Sequence, residues 1–437
     1  MRRLIFAMAA ASLLLSSLAE PGLAKNSQPS AALIAARQKV FGLENVDPKT
    51  GTVREDQVIV SWLTNASFAV AAKGHVLLLD TYVTRLEVTP GRTPFIIQDL
   101  VDLNPDYIFL GHGHFDHADN AAYIAAQTGA PIFATPETCD NMAIDAQNNF
   151  KNGYTLVKTV TCEPLTARGS LPGAQIVSIN GLEPEVSISV FKHLHSTNTG
   201  ITDPDAVPIA ASFGTTCLPT PTKGNTFPCN LQDPRDPLLF PAGTPLSTIM
   251  NIATSRAGPG GPIALFFVFT VNNPEQGHDP FRFVWHNSTG DIIDSCALPN
   301  NNPMTGLPYE PGQNANGCFP GVTVNGQTVG ANLASIMDNL GPVNVEIGSV
   351  VSLGYNQNGE RDIVSYVQHV RPVYFIPNHV TAVAVEGSSL EWKVGFYDAL
   401  KARNVPQSSW PQILWIVDPN DYLRPIVFDL DHPDPHF

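Results

Sequence analysis

The segment Gly111-His112-Gly113-His114-Phe115-Asp116-His117 decides how this chain is read. It puts three imidazoles and one carboxylate within six consecutive positions. Neutral imidazole and carboxylate are side chains that zinc-like divalent cations prefer. The apolar run Tyr107-Ile108-Phe109-Leu110 precedes the segment and reads as a buried strand; an alanine-rich stretch at 118–127 follows and reads as a helix. A loop between strand and helix lets successive side chains diverge, so one loop can serve two adjacent metal positions. Gly111 and Gly113 allow the backbone to bend beneath those ligands.

Outward from this loop, short strands and helices alternate. Residues 58–63, 67–72 and 75–79 read as three strands, with Asn65 and Lys73-Gly74 at the turns and Asp80 closing the third. A helix at 93–103 ends at Asn104-Pro105, and 131–134 is a further strand. Downstream, strands are expected at 186–195, 263–271, 281–286, 343–347, 373–376 and 412–417, and helices at 331–340, 361–369 and 389–402. This alternation is the mark of an α/β class. Residues 25–56 are polar and read as a loosely held N-terminal arm with one short helix near 31–40. Residues 202–262 and 296–330 are rich in Pro, Gly, Asn and Thr, and read as two loop-rich insertions within one catalytic domain at 57–437.

Composition narrows the partners. The 437 residues carry 24 Lys+Arg against 39 Asp+Glu, a formal charge of −15. That balance argues against a nucleic-acid backbone or an anionic membrane surface, and leaves a small-molecule substrate. Charged residues are only 14% and hydrophobic ones 43%, which supplies a large core. Twelve histidines in so weakly charged a chain need a reason.

Residues 1–24 combine a basic start, Met1-Arg2-Arg3, with an uncharged apolar run and the small-residue ending Gly22-Leu23-Ala24. This is the pattern of a secretory signal peptide cut after Ala24, with no stable membrane insertion afterwards and a periplasmic or secreted destination. An even number of cysteines in an exported chain suggests disulfides. Sequential pairing, Cys139–Cys162, Cys217–Cys229 and Cys296–Cys318, is the expectation, because each pair would close one loop-rich segment. The triplets Asn65-Ala66-Ser67 and Asn287-Ser288-Thr289 match a glycosylation pattern, but both lie beside expected buried strands and are read as chance.

The HxHxDH spacing of His112, His114, Asp116 and His117, with Asp80 upstream, resembles the metallo-β-lactamase-fold hydrolases. The opening Val60-Ser61-Trp62-Leu63-Thr64-Asn65-Ala66-Ser67-Phe68 and the late Arg371-Pro372-Val373-Tyr374-Phe375-Ile376-Pro377-Asn378-His379 look like the branch of ascorbate-lactonase-like and N-acyl-phosphatidylethanolamine phospholipase D type proteins. The resemblance implies an αββα sandwich and two divalent ions, zinc first and manganese or iron as alternatives, sharing a hydroxide. Carried onto this chain, it puts His112, His114 and His195 on one metal, and Asp116, His117 and His379 on the other. Asp291 bridges both in this scheme, with Asp294 as its alternative, and Asp116 and Asp291 are the candidate catalytic carboxylates. Asp80 would orient the ligands from behind; His193 would either do the same or be a packed histidine. His193, His286 and Tyr355 are candidates for the leaving-group acid. The implied reaction is hydrolysis of a lactone or other ester, ahead of a phosphodiester and a β-lactam. An iron-dependent oxidoreductase and a non-catalytic metal-binding protein are the readings of different class.

Overall fold

The computed structural model describes residues 29–83, 96–113, 115–151, 153–168, 170–194, 263–273, 279–290, 292, 323–350, 360–379, 389–415 and 423–437. The signal segment, the first insertion, most of the second, and His114, His195, Asp291, Asp294 and Tyr355 lie outside them, as do Cys217, Cys229, Cys296 and Cys318. The backbone of Asp116 is described; its side chain is not.

The described residues open with helix α1 (Ala31–Phe41), capped by Ser30, whose hydroxyl accepts from Leu33 N–H at 3.1 Å. Strands β1 (Gln57–Thr64), β2 (Ser67–Ala72) and β3 (His75–Leu79) follow as antiparallel neighbours. The β2–β3 turn is Lys73-Gly74, both at positive φ (50° and 78°), the geometry a two-residue hairpin requires. Next come α2 (Ile97–Asp102), β4 (Tyr107–Phe109), α3 (Phe115–Ala118), α4 (Ala121–Thr128), β5 (Ile132–Ala134), α5 (Pro136–Lys151) and β6 (Cys162–Pro164). Strands β3 to β6 are parallel neighbours.

The second half begins with β7 (Ile176–Ile179), β8 (Val186–Leu194), β9 (Ile263–Val271) and β10 (Phe281–Trp285), an antiparallel run. It continues through α6 (Val329–Asp338), β11 (Val343–Ser349), α7 (Glu360–Val370), β12 (Pro372–Asn378), α8 (Ser389–Ala402) and β13 (Gln412–Ile413), in which β10 to β13 are parallel neighbours. Finally β14 (Ile426–Asp429) and β15 (Pro435–His436) return to the first sheet. The result is two mixed sheets, ordered β15-β14-β1-β2-β3-β4-β5-β6 and β13-β12-β11-β10-β9-β8-β7.

The two sheets face each other through aromatic side chains. Phe109 of β4 meets Phe267 and Phe269 of β9 edge-on, at centroid distances of 5.5 and 5.3 Å. Alternation then sends Phe266 to the opposite face, where it lies beside Tyr366 of α7. Phe375 of β12 stacks on Phe396 of α8 at 5.3 Å, so α7 and α8 cover the outer side of the second sheet. Helices α4 and α5 pack against β5 of the first sheet. This is the expected αββα arrangement.

One expectation needs revision, and two elements carry no sequence expectation. The N-terminal arm is not loose from residue 31 onward: Val40 and Phe41 are fully buried, Ser61 Oγ donates to Val40 O, and Arg37 donates to the carbonyls of Gly51 and Leu103. Residues 426–429 form a strand without a marked sequence signal: β14 pairs with β1 through Val58↔Phe428 and Val60↔Ile426. Residues 136–151, left without a structural reading in the sequence, form the longest helix among the described residues. Cys139 on that helix is joined to Cys162 on β6, with Cα atoms 5.4 Å apart, which is the first of the expected pairs.

Candidate metal centre

The candidate centre lies where strands of both sheets end. Three turns meet there: Asp80 after β3, residues 110–117 after β4, and His379 after β12. Backbone hydrogen bonds tie the turns across the sandwich. His379 N–H donates to Asn65 O at 3.1 Å, Leu265 N–H to Gly111 O at 2.7 Å, and Thr81 N–H to His117 O at 2.9 Å. Asp80 and His379 both sit in the left-handed region, with φ of 56° and 61°. Non-glycine residues rarely adopt it, and it persists where surrounding structure over-determines the backbone, as it does at functional sites.

Asp80, His112 and His117 are completely buried, and His379 is 9% exposed. A carboxylate without solvent must be met by donors. Asp80 has three: Gly111 N–H reaches Oδ1 at 3.1 Å, while His117 Nδ1 and Asn287 Nδ2 both reach Oδ2 at 2.7 Å. A carboxylate facing His117 Nδ1 assigns the proton to that nitrogen and leaves Nε2 as a lone pair. Nε2 of His117 lies 3.1 Å from Nε2 of His379, although the two residues are 262 positions apart. The imidazoles of His112 and His117 are also close, at a centroid separation of 4.1 Å.

Two ligand nitrogens on one tetrahedral zinc, each at about 2.0–2.1 Å from the ion, lie about 3.3 Å apart. The His117–His379 separation therefore suits a shared cation. The carboxylate behind His117 is the partner that metal-binding imidazoles commonly have on their far nitrogen. The residues present fit a divalent metal. Among the described residues no group of three or more His, Cys, Asp or Glu side chains closes around one metal position. Of the seven expected ligands, the structure brings together His112, His117 and His379; His114, the side chain of Asp116, His195 and Asp291 are outside the description.

His193 and His286 belong to a different place. On β8, Phe191 and His193 share the face of Phe266, the side covered by α7. His193 Nδ1 is 3.1 Å from the Tyr366 hydroxyl, and its ring lies edge-on to His286 at 5.7 Å. His286 Nε2 is 2.9 Å from Glu346 Oε1, and Nδ1 donates to Ser288 O at 3.2 Å. Burial pushes the Glu346 carboxyl above the usual carboxylate range, partly offset by His286. His193 is thus a packed histidine in a polar cluster behind the second sheet. Asn287 is the contributor that the sequence did not reveal, since it drew notice only as part of a chance glycosylation triplet. Its place just after a strand end, a few residues before Asp291, was the available clue.

Residues 61–196 match the sequence profile of the Metallo-beta-lactamase superfamily. The chain has the metallo-β-lactamase fold. A UPF0173 metal-dependent hydrolase of Thermoplasma volcanium is 36% identical over 80 residues, which are 18% of this chain and 32% of that protein. Another, from Pyrobaculum islandicum, is 27% identical over 156 residues, or 36% of this chain and 58% of that protein. The match therefore spans less than two thirds of either relative. A solved metallo hydrolase of Ignicoccus hospitalis is 12% identical, with a TM-score of 0.43 over 85% of this chain and 98% of that one.

Proposed function

We propose that this metallo-β-lactamase-fold chain is an exported, metal-dependent hydrolase that acts on a lactone or another ester and holds two divalent ions, zinc foremost. The observation that carries the proposal is the 3.1 Å approach of His117 Nε2 to His379 Nε2, with His117 Nδ1 held by the buried Asp80. In the proposed scheme His112, His114 and His195 hold one ion, Asp116, His117 and His379 the other, and Asp291 serves both. Bound divalent ions would supply Lewis acidity, lowering the pKa of a water from about 15.7 to near 7 and polarising the scissile carbonyl.

The chain's own residues prepare that chemistry. Asp80 holds His117 in one tautomer and orientation, so that no rearrangement is needed on binding. Burial of Asp80, His112 and His117 keeps bulk water from competing at the ligand nitrogens. A neutral ester suits the chain better than a polyanion, since the whole molecule carries −15. The residues assigned as an expected signal peptide support export.

The test begins with metal content of the purified protein and of its His117→Ala and His379→Ala forms. A panel of chromogenic lactones, esters, phosphodiesters and β-lactams then identifies the substrate class. Bound metal together with lactone or ester turnover is the expected result. Hydrolysis retained by protein free of metal would overturn the proposal, and metal binding without any turnover would make the chain a binding protein.

A further inference from the structure

We propose that Asn287 is a positioning residue: its amide locks His112 in the tautomer that presents Nε2 and joins His112 to the Asp80–His117 pair, so that imidazoles of the two proposed metal positions are set as one unit. This rests on the metal reading above and adds to it a residue that is itself no ligand.

The chemistry leaves one consistent proton arrangement. Asp80 Oδ2 is an acceptor only, and it faces both His117 Nδ1 and Asn287 Nδ2 at 2.7 Å. Asn287 Nδ2 also lies 3.1 Å from His117 Nδ1; with Asp80 as the shared acceptor the two nitrogens converge as donors on Oδ2, and the amide lies with its nitrogen toward Asp80. Asn287 Oδ1 then points at His112 Nδ1, 2.9 Å away, and can only accept. The proton of His112 is thereby placed on Nδ1 and the lone pair on Nε2, as it is in His117. No other common side chain of this size offers one donor and one acceptor in a flat group at this spacing. A carboxylate in its place would repel Asp80 and could occupy the position only by taking up a proton, which the amide does not need.

Packing fixes the amide as firmly as hydrogen bonding does. Asn287 is completely buried, and a Cβ added at Gly111 would lie 2.3 Å from its Cγ, Oδ1 and Nδ2. Gly111 is thus needed for close approach rather than for a left-handed turn. The amide lies against the backbone of the ligand loop while its own backbone belongs to the end of β10, in the other sheet. The single side chain spans 175 positions to His112 and 207 to Asp80.

The experiment uses the full chain, metal-free, with nitrogen-15 in its histidines, at a pH where imidazoles are neutral. Long-range proton–nitrogen spectra of the parent should show His112 and His117 each protonated at Nδ1. Zinc affinity is then measured by chelator competition for the parent and for Asn287→Leu, Asn287→Asp and Gly111→Ala. Asn287→Leu, of similar size and without hydrogen bonds, should bind zinc about 10–100-fold more weakly and show His112 in mixed tautomers. Gly111→Ala, which displaces the amide without altering it, should do the same. Asn287→Asp should keep the His112 tautomer while losing zinc affinity through repulsion with Asp80. His112 protonated at Nε2 in the parent overturns the proposal whatever the variants do, and so does parent-like zinc affinity in a folded Asn287→Leu or Gly111→Ala. A parent that binds no zinc while His112 remains locked at Nδ1 would defeat the metal reading and leave the tautomer assignment standing.

Discussion

Two buried histidine–carboxylate pairs, His117–Asp80 and His286–Glu346, sit at similar distances, 2.7 and 2.9 Å, yet are built for different ends. Asp80 has both oxygens occupied by donors, and the far nitrogen of its histidine faces another imidazole. Glu346 has one oxygen on His286 and the other, Oε2, without a hydrogen-bond partner. Both nitrogens of His286 are used up, one by Glu346 and one by the Ser288 carbonyl. The first pair meets both oxygens of its carboxyl group with donors, and the far nitrogen of its histidine faces His379. The second buries a carboxyl whose burial favours the neutral acid, and it turns inward, between the second sheet and α7. A histidine beside a carboxylate becomes a ligand holder only when its other nitrogen is left facing a second ligand.

The contrast can be broken most severely at the proposed ligands His117 and His379. His117→Ala and His379→Ala should each reduce bound metal and hydrolysis to background, and a chelator should do the same to the parent, with zinc restoring activity. Asp80→Asn comes next: with its acceptor role halved, zinc affinity should fall about 10–100-fold by chelator competition. Glu346→Gln should leave that affinity at the parent value, although it alters an equally buried pair. Equal losses in the two variants would erase the distinction.

Smaller effects sharpen the second cluster. Tyr366→Phe removes the hydroxyl that meets His193, and chemical denaturation should show a loss of about 1 kcal/mol without change in metal content. The pH dependence of Glu346 has a definite sign. Its folded pKa is raised, so the stability it contributes is fully present at acid pH and is lost as pH rises through that raised value. Melting temperatures of the parent should therefore fall relative to Glu346→Gln between acid and neutral pH. A constant difference would mean that the Glu346 carboxyl titrates alike in the folded and unfolded protein.

Much of this was legible in the sequence because its signals are local. The loop at 111–117 lies between an apolar run and a helix-forming run, and Asp80 closes a continuous apolar strand. Those cues need no knowledge of distant partners. The C-terminal strands were missed because Ile426–Asp429 is a short apolar stretch among prolines and aspartates, and what makes it a strand is pairing with β1, some 370 positions earlier. Helix α5 was missed for a related reason. Its sequence, with three asparagines and low apolar content, has weak intrinsic preference, and contacts with α4 and β6 support it. Asn287 could not be weighed before the fold was known, because its value lies in two partners 175 and 207 positions away.

If the pole occupied by His112, His117 and His379 holds metal for hydrolysis, as proposed, the metal stoichiometry of the purified full chain beside that of His379→Ala tests it most directly. About two divalent equivalents are expected in the parent, fewer in the variant, with hydrolysis falling in step. Parent protein without bound metal that still hydrolyses its substrate, or a His379→Ala form with undiminished metal and activity, would contradict it.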